Sequence, residues 1–98
     1  MRIVYSPRAT RDLATIGAYY RTIADPKVAS AIADRIEYVI NRLGHYPRSA
    51  PRVPDRADVR VALVFRYPYK IFYRVRADAV EILHIRHTAR RPWRESRE

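Results

Sequence analysis

The residues best equipped for chemistry lie in one stretch, Val80-Glu81-Ile82-Leu83-His84-Ile85-Arg86-His87-Thr88-Ala89-Arg90-Arg91-Pro92-Trp93. An apolar, β-branched run there releases two histidines, three arginines and a tryptophan. Side chains leave the packed layer at strand ends, so a rigid scaffold can present polar groups to a partner at that place. The competing reading is a strand followed by a solvated basic tail. The chemistry this set could support is phosphodiester cleavage without a metal. RNA carries its own nucleophile in the 2′-hydroxyl and needs only a base, an acid and cations for the developing charge. His87 could be the base or acid, and Lys70, Arg74 and Arg90 could clamp the phosphate. Equally, His87 could cap its strand or contact Trp93.

Other chemistries are poorly supplied. Gly17 and Gly44 are the only glycines, which leaves no phosphate-binding glycine loop. Three histidines without a cysteine lack zinc-ligand spacing, and His84 and His87, three apart on a strand, point to opposite faces. Ser6, Ser30 and Ser49 could each be drawn into a triad, but none sits in a nucleophile elbow. We therefore expect neither metal nor cofactor.

The elements that must position these groups follow from periodicity. Arg2 to Tyr5 reads as a short strand, and Ser6-Pro7 as a helix cap with proline at the first helical position. Ala9, Leu13, Ile16, Tyr20 and Ile23 then recur at helical spacing. Asp25-Pro26 starts a second helix with the stripe Val28, Ile32, Ile36, Val39 and Leu43, widened by Ala29, Ala33 and Ile40, and Gly44 reads as its stop. So short a connection predicts an antiparallel helical hairpin. A proline- and arginine-rich loop from His45 to Asp58 follows. Val61–Phe65, Tyr69–Val75 and Val80–Ile85 then read as strands joined by tight turns, hence an antiparallel meander. The expected fold is α+β, in the order β-α-α-β-β-β, with the hairpin on one face of an antiparallel sheet and residues 1–98 as a single domain. On the middle strand, alternation assigns Tyr69, Ile71, Tyr73 and Val75 to the core. Lys70, Phe72, Arg74 and Arg76 fall on the other face, which reads either as a surface that meets a charged or apolar partner or as a solvated face with Phe72 packed under a loop.

Charge narrows the class of partner. The net charge is +10, and residues 42–98 hold fourteen cations against six acids while residues 1–41 hold six against four. Such asymmetry attracts phosphates or an acidic protein and speeds encounter with either. Eighteen of the twenty cations are arginine, whose planar fork suits phosphate and carboxylate. No apolar run approaches the roughly 20 residues of a membrane span, so we expect a cytoplasmic protein with no membrane partner.

The order of elements carries a resemblance. Ser6-Pro7 before a helix with Arg11-Asp12-Leu13, then Pro68-Tyr69-Lys70-Ile71-Phe72-Tyr73-Arg74-Val75, then Ile82-Leu83-His84-Ile85-Arg86-His87-Thr88-Ala89-Arg90-Arg91-Pro92 together resemble the RelE/ParE superfamily over essentially the whole chain. These are toxins of type II toxin–antitoxin modules, often called plasmid stabilisation proteins. The resemblance implies a basic toxin held inactive by a cognate acidic antitoxin, ParD-like or RelB-like. It leaves two activities. RelE-like members cleave mRNA on the ribosome with arginines, lysines and a C-terminal tyrosine or histidine, whereas ParE-like members inhibit DNA gyrase. Lys70 matches the basic residue of the RelE middle strand. Thr88, however, stands where a second key arginine is expected, and no tyrosine follows Tyr73. The ending His87-x-x-Arg90-x-Pro92 looks more like ParE. The expectation is a ParE-like gyrase inhibitor, with a ribosome-dependent mRNA interferase as alternative and a non-toxic binding protein of the same fold as a third reading. Lys70, Phe72, Arg74, Arg86, Arg90, Arg91 and Trp93 are the expected partner-binding residues. His87, Lys70, Arg74 and Arg90 are catalytic only if the chain is a ribonuclease.

Overall fold

The computed structural model describes residues 1–88, so Arg90, Arg91 and Trp93 lie outside the described residues. Strand β1 (Arg2–Tyr5) leads into α1 (Pro7–Ile23) and α2 (Pro26–His45). Strands β2 (Arg52–Val53), β3 (Arg56–Leu63), β4 (Tyr69–Val75) and β5 (Ala79–His87) follow. Both helices start where the caps require. The Ser6 hydroxyl accepts from the Ala9 N–H at 3.0 Å, the Asp25 carboxylate accepts from the Lys27 N–H at 2.7 Å, and a proline follows each cap.

The five strands form one sheet in the order β1-β5-β4-β3-β2. The class is α+β, with one departure from an antiparallel sheet: β1 runs parallel to β5, so the sheet is mixed. The helical hairpin between them returns the chain over the sheet, and the meander then brings β5 in beside β1. The core lies between hairpin and sheet. Ile32, Ile36, Ile40 and Leu43 of α2 meet Ile71, Tyr73, Val80, Ile82 and Ile85, with Leu13 and Ile16 of α1 packed against them. No helix among the described residues is long and apolar enough to cross a membrane.

Four local readings change. Ile23 and Val28, assigned to the buried stripes, are exposed. Tyr20 already reaches Tyr69, the first residue of β4, so the turn beyond it has no sheet to cover. Gly44 does not end α2, which continues to His45. Its small size serves close approach instead, because a Cβ there would lie 2.9 Å from the Met1 carbonyl oxygen. Strand β3 starts five residues earlier than the expected Val61. Pro54 and Asp55, the latter at φ 66°, turn the chain so that β2 pairs with β3. The loop between α2 and β2 is tied down as well: the Tyr73 hydroxyl donates to the Pro47 carbonyl at 2.8 Å, and Arg60 donates to the Ala50 carbonyl at 2.7 Å.

These packing assignments have a direct check. Ile36 is 2% exposed, and Ile36→Ala should cost about 2–5 kcal/mol, the usual range for a buried large-to-small change. Ile23→Ala should stay within about 0.5 kcal/mol, as surface changes do. Urea midpoints at constant slope measure both.

Candidate functional site

The pairing of β4 with β5 decides which candidate groups meet. Tyr69 pairs with His87, Lys70 with Arg86, Ile71 with Ile85 and Phe72 with His84. A bulge follows, after which Tyr73 pairs with Ile82 and Arg74 with Glu81. Alternation therefore sends Tyr69, Ile71, Tyr73 and His87 to the helix side. Lys70, Phe72, Arg74, His84 and Arg86 point to the opposite side. His87 sits edge-on to Tyr69, with ring centres 5.5 Å apart. The set His87, Lys70 and Arg74 is thus divided by the thickness of the sheet, and Arg90 lies outside the described residues.

Of the row Lys70, Phe72, Arg74 and Arg76, Phe72 is buried, Lys70 and Arg74 are half-buried and Arg76 is exposed. Phe72 is 7% exposed and packs with Val59 and Leu83, the latter displaced onto this face by the bulge. The His84 ring lies nearly parallel to that of Phe72, with centres 6.0 Å apart, and the Arg86 guanidinium stands 5.9 Å from the Phe72 centre. Arg74 faces two carboxylates, Asp58 at 3.2 Å and Glu81 at 3.5 Å. Phe72 is therefore a support for its neighbours rather than an exposed contact, and Arg74 carries little uncompensated charge.

A pair that residue patterns did not single out holds this face in place. His84 is 5% exposed and its Nδ1 lies 2.7 Å from the Asp12 carboxylate of α1. The same Asp12 oxygen accepts the Ile85 N–H at 2.9 Å, and Arg8 stands 3.3 Å from the other oxygen. Burial pushes the Asp12 pKa up, but the hydrogen bonds from His84 and Ile85, with the charges of His84 and Arg8, outweigh it and hold the value below its ordinary position. An ionised carboxylate can only accept, so His84 carries its proton on Nδ1. In the sequence Asp12 is a polar residue beside Arg11 and one turn from Arg8, and nothing in that spacing points to position 84.

A second surface lies on the other side of β3. A groove of about 620 Å³ runs between α2 and the β3 edge, lined by Tyr38, Val39 and Leu43 on one side and Leu63 and Phe65 on the other. Leu63 and Phe65 are 66% and 69% exposed. Arg35, Arg42 and Lys70 rim the groove. The spacing Arg35, Tyr38, Arg42 is itself a helical stripe beside the core stripe, which is the signal that could have revealed it. Strand β2 has only two residues, so it covers only part of the β3 edge.

Residues 3–92 match the family described as ParE toxin of type II toxin–antitoxin system, parDE. No curated protein matches the chain. Among solved structures, the chain is similar to the chromosomal ParDE system from P. aeruginosa, with 24% identity over 89% of this chain and 95% of that one, at a TM-score of 0.76. It is also similar to the RelBE2 toxin–antitoxin complex from Mycobacterium tuberculosis, with 22% identity over 91% and 92% of the two chains, at a TM-score of 0.60. These two likenesses speak for the fold.

The Asp12 environment fixes how acid acts on stability. Because the folded-state pKa is depressed, the contribution is fully present above the ordinary aspartate value, near 3.9, and is lost as pH falls through the lower folded value. Asp12→Asn should lower the urea midpoint at neutral pH. The gap to the native chain should close on acidification below about pH 4. A gap independent of pH would show that the ionisation of Asp12 contributes nothing to the difference.

Proposed function

The chain belongs to the ParE toxin family of type II toxin–antitoxin systems, and from that premise we propose that it inhibits DNA gyrase and is neutralised by a cognate acidic antitoxin. The observation that carries this choice is the division of the candidate ribonuclease groups. A general acid or base has to reach the same substrate atom group as the clamping cations, within hydrogen-bond distance. His87 lies on the helix side of the sheet, whereas Lys70 and Arg74 lie on the other. His84 shares the cation face, but its Nδ1 is engaged by Asp12. This arrangement supports a binding activity. The basic segment 89–98, with Arg90, Arg91 and Trp93, is of the arginine and aromatic type that anchors interfaces.

The groove between α2 and β3 is the place for the antitoxin. Its apolar floor suits a segment that orders on binding, as a helix or an added strand, and its rim of Arg35, Arg42 and Lys70 complements acidic side chains. A DNA-bound, intracellular target would place the toxin in the cytoplasm.

Expression without antitoxin should reduce viability with DNA-damage signalling while bulk mRNA stays intact, and the purified chain should inhibit gyrase supercoiling. His87→Ala should keep most of this activity, and deletion of residues 89–98 should abolish it. A ribonuclease relying on His87 would instead lose about 10²–10⁴-fold. Cleavage of ribosome-bound transcripts, lost in His87→Ala, would overturn the gyrase reading. Leu63→Asp with Phe65→Asp should weaken binding of the co-expressed antitoxin by about 2 kcal/mol or more, as loss of an interface anchor does. Association should also slow with salt, since screening acts over a Debye length of about 10 Å at 0.1 M.

A further inference from the structure

The outer side of α2 carries a row of its own. Arg35, Tyr38, Arg42 and Tyr46 follow one another at spacings of three, four and four, so they share one stripe of the helix. The Arg35 guanidinium lies over the Tyr38 ring at 5.5 Å, and that of Arg42 over the Tyr46 ring at 5.2 Å. Tyr38 and Tyr46 are 54% and 58% exposed. The chain beyond Tyr46 is pinned: the Ser49 hydroxyl donates to the Tyr46 carbonyl, Arg60 to the carbonyls of Arg48 and Ala50, and Tyr73 to that of Pro47. The exposed Arg48 therefore stands on fixed backbone directly after the stripe. Residues 35–54 hold four arginines and one acid, Glu37. Glu37 acts on Tyr5 of β1, whose pKa burial and the Glu37 charge both raise. Among the described residues no carboxylate pairs with Arg35, Arg42 or Arg48.

We propose that this stripe, with Arg48 beyond it, is a binding surface for the phosphate backbone of duplex DNA. Stacking on a ring holds each guanidinium in place before a ligand arrives, so less freedom is lost when it closes on a phosphate. Each ring gives one face to its arginine and serves as a holder rather than as a platform for unpaired bases. Its hydroxyl remains for a phosphate oxygen. Tyr46 and Arg48 do not line the apolar groove between α2 and β3, and their sequence neighbours Asn41 and His45 are polar and exposed. A protein interface is built around an apolar centre, whereas attraction to a polyanion rests on cations that displace its counterions. The polar end of the stripe fits the second. Arg35 to Tyr46 spans about 16 Å of helix, and each DNA strand offers a phosphate about every 3.4 Å of axis, so several lie within reach at once. The contact stands independently of the gyrase reading. With that reading, it holds the toxin on the polymer its target acts upon.

The test is the anisotropy of a labelled duplex of about 20 bp and arbitrary sequence, titrated with the full chain between about 50 and 200 mM salt. The native chain should bind saturably, with log affinity falling linearly in log salt. Arg35→Gln with Arg42→Gln should weaken binding about tenfold and lower the slope by about 2, at about 0.9 per phosphate contact. Arg42→Gln with Arg48→Gln, both exposed, should do the same without touching the half-buried Arg35. Arg21→Gln with Lys27→Gln removes the same charge from the tip of the helical hairpin. That control should change affinity by less than about twofold, since charges a Debye length away are largely screened. Leu63→Ser with Phe65→Ser strips the groove of apolar surface and should leave DNA binding intact while antitoxin binding falls, which separates the two surfaces. No saturable binding by the native chain overturns the proposal, as do equal losses in the stripe pairs and in either control pair. Tighter binding, at equal salt, of a single strand of the same length or of poly-glutamate also overturns it, and assigns the surface to unpaired nucleic acid or to an acidic protein.

Discussion

A strand buried on both faces must still satisfy the backbone groups along both edges, and β5 meets that constraint with a neighbour only four residues long. Everything distinctive about the fold follows from how the deficit is filled. The start of α1 is pressed against β5, so that the helix cap Ser6 also serves the sheet and the Asp12 carboxylate stands in for a strand carbonyl. An uncompensated buried N–H would cost about 1–3 kcal/mol. A carboxylate placed there has to be ionised to accept well, and His84 and Arg8 keep it so. One charged group therefore ties α1 to β5, fixes the tautomer of a buried histidine and completes the edge of β5 beyond the end of β1.

The sheet itself acts as a partition. Because alternation is strict on either side of the bulge, groups adjacent in sequence face different media. His87 contacts Tyr69 among the aromatic residues under the hairpin, while Arg86 lies across Phe72 on the far side. A chain dense in arginine is easily read as a field of free cations. Here Arg74 is shared between Asp58 and Glu81, Arg76 also reaches Glu81 at 3.0 Å, and Arg60 is spent on the carbonyls of the loop before β2. Arg35, Arg42 and Lys70 stand at the groove rim, where association with an acidic partner would gain from them.

The groove arises from the same economy of strands. β2 stops after two residues, and the exposed Leu63 and Phe65 line the groove together with Tyr38 and Val39 of α2. One helix thus serves two surfaces. Its Ile32, Ile36 and Ile40 stripe closes the core, and its Arg35, Tyr38 and Arg42 stripe lines the groove. A single-layer sheet with one helical layer leaves one face without a second layer. Phe72, Val59 and Leu83 form only a small cluster there.

The caps, both helices, the helical stripes and the core face of β4 were legible in residue order, because each rests on contacts within a few residues or on a period the backbone imposes. The resemblance to the toxin superfamily was likewise legible, carried by short segments in a fixed order. Long-range placement was not. That β1 lies parallel to β5, that a bulge turns Leu83 and His84 onto one face, that Phe72 is covered, and that Gly44 admits the Met1 backbone all depend on pairings between distant residues. Asp12 shows the limit most clearly. Six residues past the Ser6 cap it is an ordinary polar residue of its helix, and nothing in its neighbours' spacing points to position 84. Only when the chain closes on itself does a strand edge with no partner strand meet a carboxylate, and the need to satisfy that buried N–H selects the contact.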